Sequence, residues 1–207
     1  MSEAAQDLSA KYLVDPYLNW ARAEGVPVIE GATLDLLTVD TKPWARFGVK
    51  GAICHVDGRC DFLSAFVFEI APGQSSTPTK HLYEDCFYVL EGAGVSEVTL
   101  SNGTRREIEW SAGCVFATPI NAACVHRAAG ASAARLVSFN DMRYLMGLYR
   151  NENFLFHNAA PMTARQARGL EGALCVDLAT LKGDASLQLG DSVLGADFAC
   201  LVPGAAT

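Results

Sequence analysis

The stretch between Gly73 and Asn140 limits the fold of this chain more than any other feature, because it reads almost entirely as short strands separated by turn residues. Residues 81–91 form one such segment and stop at Glu91-Gly92. Residues 95–100 and 104–110 flank Ser101-Asn102-Gly103, a hairpin signal whose Asn-Gly pair predicts a type I′ turn. Segments 114–118, 123–128 and 134–139 follow at short, regular spacing. Such a run points to an all-β sandwich or barrel. Upstream, residues 52–56 read as a strand closed by Asp57-Gly58. Phe62, Phe66, Phe68 and Ile70 share one parity, the period of a strand with one face in a core.

The flanks have a different character. Residues 15–25 predict a short helix, with Pro16 in the first turn and Gly25 as its C-terminal cap, packing Leu18 and Trp20 on the main domain. Asn140 reads as the N-cap of a second helix, with Met142, Leu145, Met146 and Tyr149 on one face. Beyond it, residues 162–170 read as a helix and 173–201 as a few short strands. The resulting division is an N-terminal extension over 1–48, a barrel over 49–140, and a C-terminal helix with irregular extension over 141–207. A chain of 207 residues buries one good core, so a single domain with extensions is expected.

Composition narrows the partners. A formal charge of −7 argues against a nucleic-acid backbone as ligand. No apolar run is long enough to cross a bilayer, and residues 1–10 lack the pattern of a secretory signal, so the cytoplasm is the expected compartment. The seven cysteines are odd in number and contain no Cys-x-x-Cys, which disfavours a disulfide scaffold or a zinc ribbon. Most are expected as small core residues. Phe154-Leu155-Phe156 is an apolar extension suited to pairing subunits, and a homodimer is expected.

Two segments carry chemistry. The first, GQSSTPTKHLYEDCFYVLEG, places Gly73, Thr79, His81, Asp85 and Gly92; the second, GCVFATPINAACVHRA, places Gly113, Pro119, Asn121, Cys124 and Ala128. Strand alternation puts Thr79, His81, Tyr83, Asp85 and Phe87 on one face, and Cys124 and His126 on one face of a later strand. If both faces line one barrel, two imidazoles, a carboxylate and a thiol converge in a cavity able to hold one small ligand. His55 and His157 have no motif around them and read as surface or packing residues. Gly73, Gly92, Gly113 and Pro119 read as turn residues.

The two segments, in order and separated by a hairpin, resemble the two motifs of the cupin superfamily over residues 49–140. The resemblance implies a double-stranded β-helix, or jelly-roll barrel, with short helical extensions at both ends. In metal-binding cupins two histidines and an acid of the first motif join a histidine of the second around one ion. Here Thr79 stands for the first histidine, Cys124 for the last, and Asp85 for the glutamate. The chain also resembles a narrower cupin group with a Lys/Arg-His-Leu-Tyr-Glu signature, which tends to lack the first histidine and to carry His-x-His where Cys124-x-His126 stands.

The ligand set that the resemblance implies is His81, Asp85 and Cys124, with His126 adding or substituting. Its mixed N/O/S donors suit zinc more than iron, nickel or manganese. The implied function is a cupin enzyme acting on a small organic metabolite, such as a keto acid, an aromatic or a polyketide-like intermediate. Its chemistry would be metal-assisted isomerisation, lyase, cyclase or oxygenase chemistry, with His81, Tyr83, Asp85 and His126 as candidate catalytic groups. Two alternatives stand beside it: a non-catalytic cupin that binds a small ligand, and a metal-free enzyme using His81 and Asp85 directly as acid and base.

Overall fold

The computed structural model describes residues 15–56, 62–162 and 166, together with the backbone of 176–177. Asp57-Gly58 and nearly all of residues 163–207 lie outside the described residues, as do Cys60, Cys175 and Cys200. Of the helix expected over 162–170, only Met162 and Gln166 are described; they are joined by a helical hydrogen bond from Gln166 N to Met162 O of 2.8 Å.

The helix α1 spans Pro16–Ala23. Asp15 caps it, its carboxylate accepting from Tyr17 N at 2.9 Å and Leu18 N at 3.1 Å. Its buried face is Tyr17, Trp20 and Ala21. Ten strands follow: β1 (Val28–Gly31), β2 (Lys42–Trp44), β3 (Val49–Val56), β4 (Ser64–Ile70), β5 (Asp85–Glu91), β6 (Ala93–Thr99), β7 (Arg105–Ser111), β8 (Cys114–Thr118), β9 (Ala123–Ala128) and β10 (Ala134–Asn140). Helices α2 (Met142–Tyr149) and α3 (Glu152–Phe156) come next, and β11 (Val176–Asp177) pairs with β8. One sheet runs β1-β3-β4-β10-β5-β8-β11, with β2 also on β3, and a second runs β7-β6-β9.

The inward parities of both sheets meet in one core, as expected of a β-sandwich or barrel. Phe66, Phe68, Ile70, Phe87 and Leu136 of the first sheet are buried with Val98, Ile108 and Trp110 of the second. Across the gap the rings of Trp110 and Phe116 lie 6.2 Å apart and nearly parallel, at 5°. The outward parity of β3, β4 and β10 (Cys54, Ala65, Val67 and Val137) forms a smaller cluster with Ile29, Leu34, Leu36 and Val39 packed against it.

The strand expected to start at His81 begins at Asp85 instead. Residues 71–84 form a long connection that crosses to the second sheet and runs beside β9. There Ser76 N donates to His126 O (2.8 Å), while Thr79 and Cys124 exchange both backbone bonds (3.0 and 2.8 Å). This crossing sews the two motif segments together.

The β6–β7 hairpin differs from the expected type I′ turn. Only Gly103 has a positive φ (+84°), Gly103 N donates to Leu100 O, and Leu100 N donates to Thr104 O. Three loop residues with glycine in the left-handed region make a type I turn with a bulge, so Asn102 has no need of positive φ. The tip is exposed. A short insertion between Asn102 and Gly103 is expected to leave soluble expression and the thermal midpoint nearly unchanged; insoluble protein would refute the hairpin.

The expected cap of α2 is shifted by one residue. Asp141 occupies the cap position, but its carboxylate accepts from Glu84 N (2.8 Å), so the Asn140 side chain accepts from Met142 N (3.3 Å). Met142 and Met146 are buried, whereas Tyr149 is exposed. The apolar extension 154–156 also differs from expectation. Leu155 and Phe156 pack into this chain's own core, with Phe156 against Trp20 and Tyr83, and only Phe154 stays partly exposed. Arg46 fastens this corner through ion pairs to Glu24 and Glu152 (2.5 Å each), its guanidinium 4.2 Å above the Phe156 ring.

Candidate functional site

Between the two sheets lies a cavity of about 20 Å³, room for a water molecule or so. Its apolar wall is Phe47, Phe68, Ile70, Phe87 and Leu136; its polar wall is Ser76, Thr79, His81, Asp85 and His126. The first sheet supplies Asp85 from the start of β5. The 71–84 connection supplies Ser76, Thr79 and His81, and β9 supplies His126. Of the expected site residues, His81, Asp85 and His126 meet here; Tyr83 and Cys124 are not part of the lining.

Asp85 and His81 form a buried pair, with His81 Nε2 3.0 Å from Asp85 Oδ2. The other face of each partner is fixed. His81 Nδ1 lies 2.9 Å from Tyr83 O, and because a carbonyl only accepts, Nδ1 carries a hydrogen. Asp85 Oδ1 accepts from the Ser138 hydroxyl, which itself accepts from Asn140 Nδ2 at 2.9 Å. With Nδ1 protonated, a bare Nε2 lone pair facing a carboxylate at 3.0 Å would be repulsive. The pair therefore holds one proton in that contact, as imidazolium and carboxylate or as imidazole and acid.

The parity expectation for Tyr83 fails because the strand has not begun there. The bend at residues 82–83 instead folds the tyrosine ring flat on His81, with centroids 3.6 Å apart at 5°. The far side of Tyr83 packs on Phe66 and Phe156. Burial, reinforced by the nearby Asp85, raises its phenol well above the usual range, so it stays protonated. Tyr83 holds the imidazole in place from behind.

His126 is fixed by a chain of two bonds. Trp110 Nε1 donates to Ser96 Oγ (2.8 Å), and Ser96 Oγ lies 2.7 Å from His126 Nδ1. Ser96 has no exposed surface. Donating its own hydrogen to Nδ1 leaves no buried donor unmet, and this assigns the hydrogen of His126 to Nε2. Burial lowers its pKa to about 4, against an opposing pull from Asp85 and with a small push from His81. A neutral imidazole thus presents an N–H donor to the cavity.

That shift has a stability consequence. The unfolded chain takes up the His126 proton near pH 6.5 and the folded chain near 4, so stability is present above 6.5 and is lost as pH falls between the two. The expected slope is up to about 1.4 kcal/mol per pH unit. Urea unfolding of wild type and His126→Gln across this window should show a flatter profile in the variant; equal profiles would contradict the assignment.

Cys124, expected as a ligand, shares the inward face of β9 with His126 but does not line the cavity. Its thiol lies 3.7 Å from Ala122 O within the apolar core, and burial, with Asp85 adding to it, pushes its pKa up to about 12. It is a neutral thiol, not a thiolate donor. Cys54 and Cys86 likewise form no disulfide. Among the described residues no three His, Cys, Asp or Glu side chains stand close enough together to hold an ion. His126 turns an N–H rather than a lone pair to the cavity, and Cys124 does not reach it. The donor set in this arrangement does not fit a resident metal.

Outside the cavity, His55 is buried rather than on the surface. It bridges Glu30 (3.2 Å) and the Tyr17 hydroxyl (3.1 Å), which ties α1 to β1 and β3. His157 is exposed, as expected.

Ser96, Ser138 and Asn140 were missed by motif spacing. Their signal is a polar residue at the inward parity of an otherwise apolar strand: Ser96 beside Val98, Ser138 and Asn140 after Leu136.

Two packed β-sheets with a buried polar cluster between them form a β-sandwich of the cupin type. The family model for the cupin domain matches residues 66–140, and the chain carries a cupin domain there. No curated protein matches the chain. Among solved structures it is similar to a Lactobacillus farciminis oxalate decarboxylase in a formate complex (21% identity over 52% of this chain and 32% of that one, TM-score 0.45). It is also similar to a Momordica charantia 7S globulin (11%, 52% and 33%, TM-score 0.44). A third likeness is to Bacillus subtilis oxalate decarboxylase, a protein with Mn(II) centres (18%, 49% and 28%, TM-score 0.42). The chain spans about a third of the length of these structures, and the likeness concerns the fold. Among the described residues no helix is long and apolar enough to cross a membrane.

Proposed function

We propose that this chain is a cupin enzyme that moves a proton on a small organic molecule, with His81 and Asp85 as its acid–base pair. The observation that carries this reading is the buried His81–Asp85 contact at the polar wall of the cavity, opposite its apolar wall. Asp85 as carboxylate takes a hydrogen from carbon next to a carbonyl. His81 as imidazolium gives its Nε2 proton to the carbonyl oxygen, so that keto form becomes enol with atoms and charge conserved. The Nε2–H of His126 supports the oxygen as negative charge develops there. The reverse step at the other face or at a neighbouring carbon gives isomerisation. Tyr83 and Ser138 position the pair and transfer no proton.

The test is deuterium incorporation, followed by NMR, into the α-carbons of small ketones and 2-oxo acids in D₂O, using chelator-treated protein. Exchange that survives chelation and depends on His81 and Asp85 supports the reading. Exchange that vanishes on chelation and returns with a divalent ion would replace it with the metal-assisted one. The alternative is a binding protein; the cavity as it stands has room for about one water, so either reading requires it to widen around its ligand. That alternative predicts ligand-induced shifts without exchange.

The compartment is proposed to be the cytoplasm, supported by the thiols of Cys54, Cys86 and Cys124, which form no disulfide. The assembly is proposed to be a homodimer, supported by exposed Phe139, Tyr144, Leu148 and Tyr149. Light scattering that returns a monomer mass would remove the dimer.

A further inference from the structure

We infer that the ligand of this cavity is an electrically neutral carbonyl compound rather than a carboxylate; the inference rests on the proton-transfer reading and names its substrate class. Among the described residues, no Lys or Arg lines the cavity. Arg127, next to His126 on β9, is exposed, and Arg46, next to Phe47, is held by Glu24 and Glu152. The His81–Asp85 pair with its one proton is neutral as a unit, and His126 is neutral. An anion would therefore enter an apolar enclosure that offers no compensating charge and would face Asp85 as well. Burying such a charge is strongly unfavourable.

The hydrogen-bonding groups point the same way. Asp85 spends its two oxygens on Ser138 and His81, and Ser76 Oγ accepts from His126 N at 2.9 Å. What remains for a ligand is mainly donors: the Nε2–H of His126 and the hydroxyl hydrogens of Ser76 and Thr79. A donor-rich, uncharged wall opposite aromatic and aliphatic side chains fits a neutral carbonyl oxygen on a short apolar body.

Acetone and acetate are matched in size and differ in charge, and they supply the test. Each is titrated into wild-type protein at about pH 8 while the imidazole signals of His81 and His126 are followed by NMR. Acetone should shift both signals, and acetate should bind at least roughly thirtyfold more weakly. Thr79→Lys, at a half-buried position on the polar wall, should raise the acetate-to-acetone affinity ratio at least roughly tenfold. The wild-type comparison decides the matter even if the variant does not fold. Acetate binding as tightly as acetone, at a site lost in His81→Gln, would overturn the neutral class while leaving the proton-transfer reading to the exchange assay. No shift from either ligand would also overturn the inference.

Discussion

Asp85→Asn is expected to lower carbon-to-deuterium exchange by at least roughly a thousandfold while changing the unfolding free energy by about 1 kcal/mol or less. The amide keeps the shape of the carboxylate. Its oxygen can still accept from Ser138, and its NH₂ can donate to His81 Nε2, so the buried hydrogen bonds survive. What is lost is the base, and with it the proton that the pair shares. His81 then rests as a neutral imidazole with Nδ1–H on Tyr83 O and has no proton left to give at Nε2. A measured exchange rate within tenfold of wild type, in a variant of unchanged thermal midpoint, would mean that Asp85 is not the base.

Gly94→Ala is expected to be the most damaging small substitution in the chain. A methyl at this position would lie 2.2 Å from Arg127 O and 2.3 Å from the Trp110 ring, so β6 cannot keep its place between β7 and β9. The neighbour on one side is strand backbone and on the other an indole buried in the core, neither free to move. The expected loss is roughly 3 kcal/mol or more, a fall of roughly 10 °C in thermal midpoint. The damage reaches the site as well. Trp110 Nε1 holds Ser96, and Ser96 fixes His126, so a displaced indole should change the His126 tautomer signal before the protein unfolds. A variant with wild-type stability would show that the Trp110–Gly94 packing is wrong.

The fold was largely legible because its signals are local. β8 and β9 fall on the residues that turn spacing marks, and Phe66, Phe68 and Ile70 are inward as their parity predicts. Phe62, of the same parity, lies before β4 and is exposed, and β4 is buried on its other face as well. The start of β5 was not legible. His81-Leu82-Tyr83 has strand-like composition, yet its backbone is claimed by other partners: Asn121 N donates to His81 O, and Leu82 N donates to Leu155 O. Those bonds come from a turn and from helix α3, far away in sequence, which a local pattern does not register. The same long-range pairing explains the site. Parity correctly places Asp85, Phe87 and His126 inward. It fails for Tyr83, which is not in a strand; Cys124 is inward as parity predicts, on the same face of β9 as His126, but does not line the cavity. The positioning network of Ser96, Ser138 and Asn140 carries no motif, and only its inward parity distinguishes it from ordinary strand polarity.

The central claim is that His81 and Asp85 keep their proton between them and are not ligands of an ion. Four histidines make this directly measurable by ¹⁵N NMR of the imidazoles in chelator-treated protein titrated with Mn²⁺. At one equivalent of the ion, the account predicts that the His81 and His126 signals persist, with Nδ1 of His81 and Nε2 of His126 protonated. Selective loss of those two signals by paramagnetic broadening, with His55 unaffected, would contradict it and place a metal in the cavity.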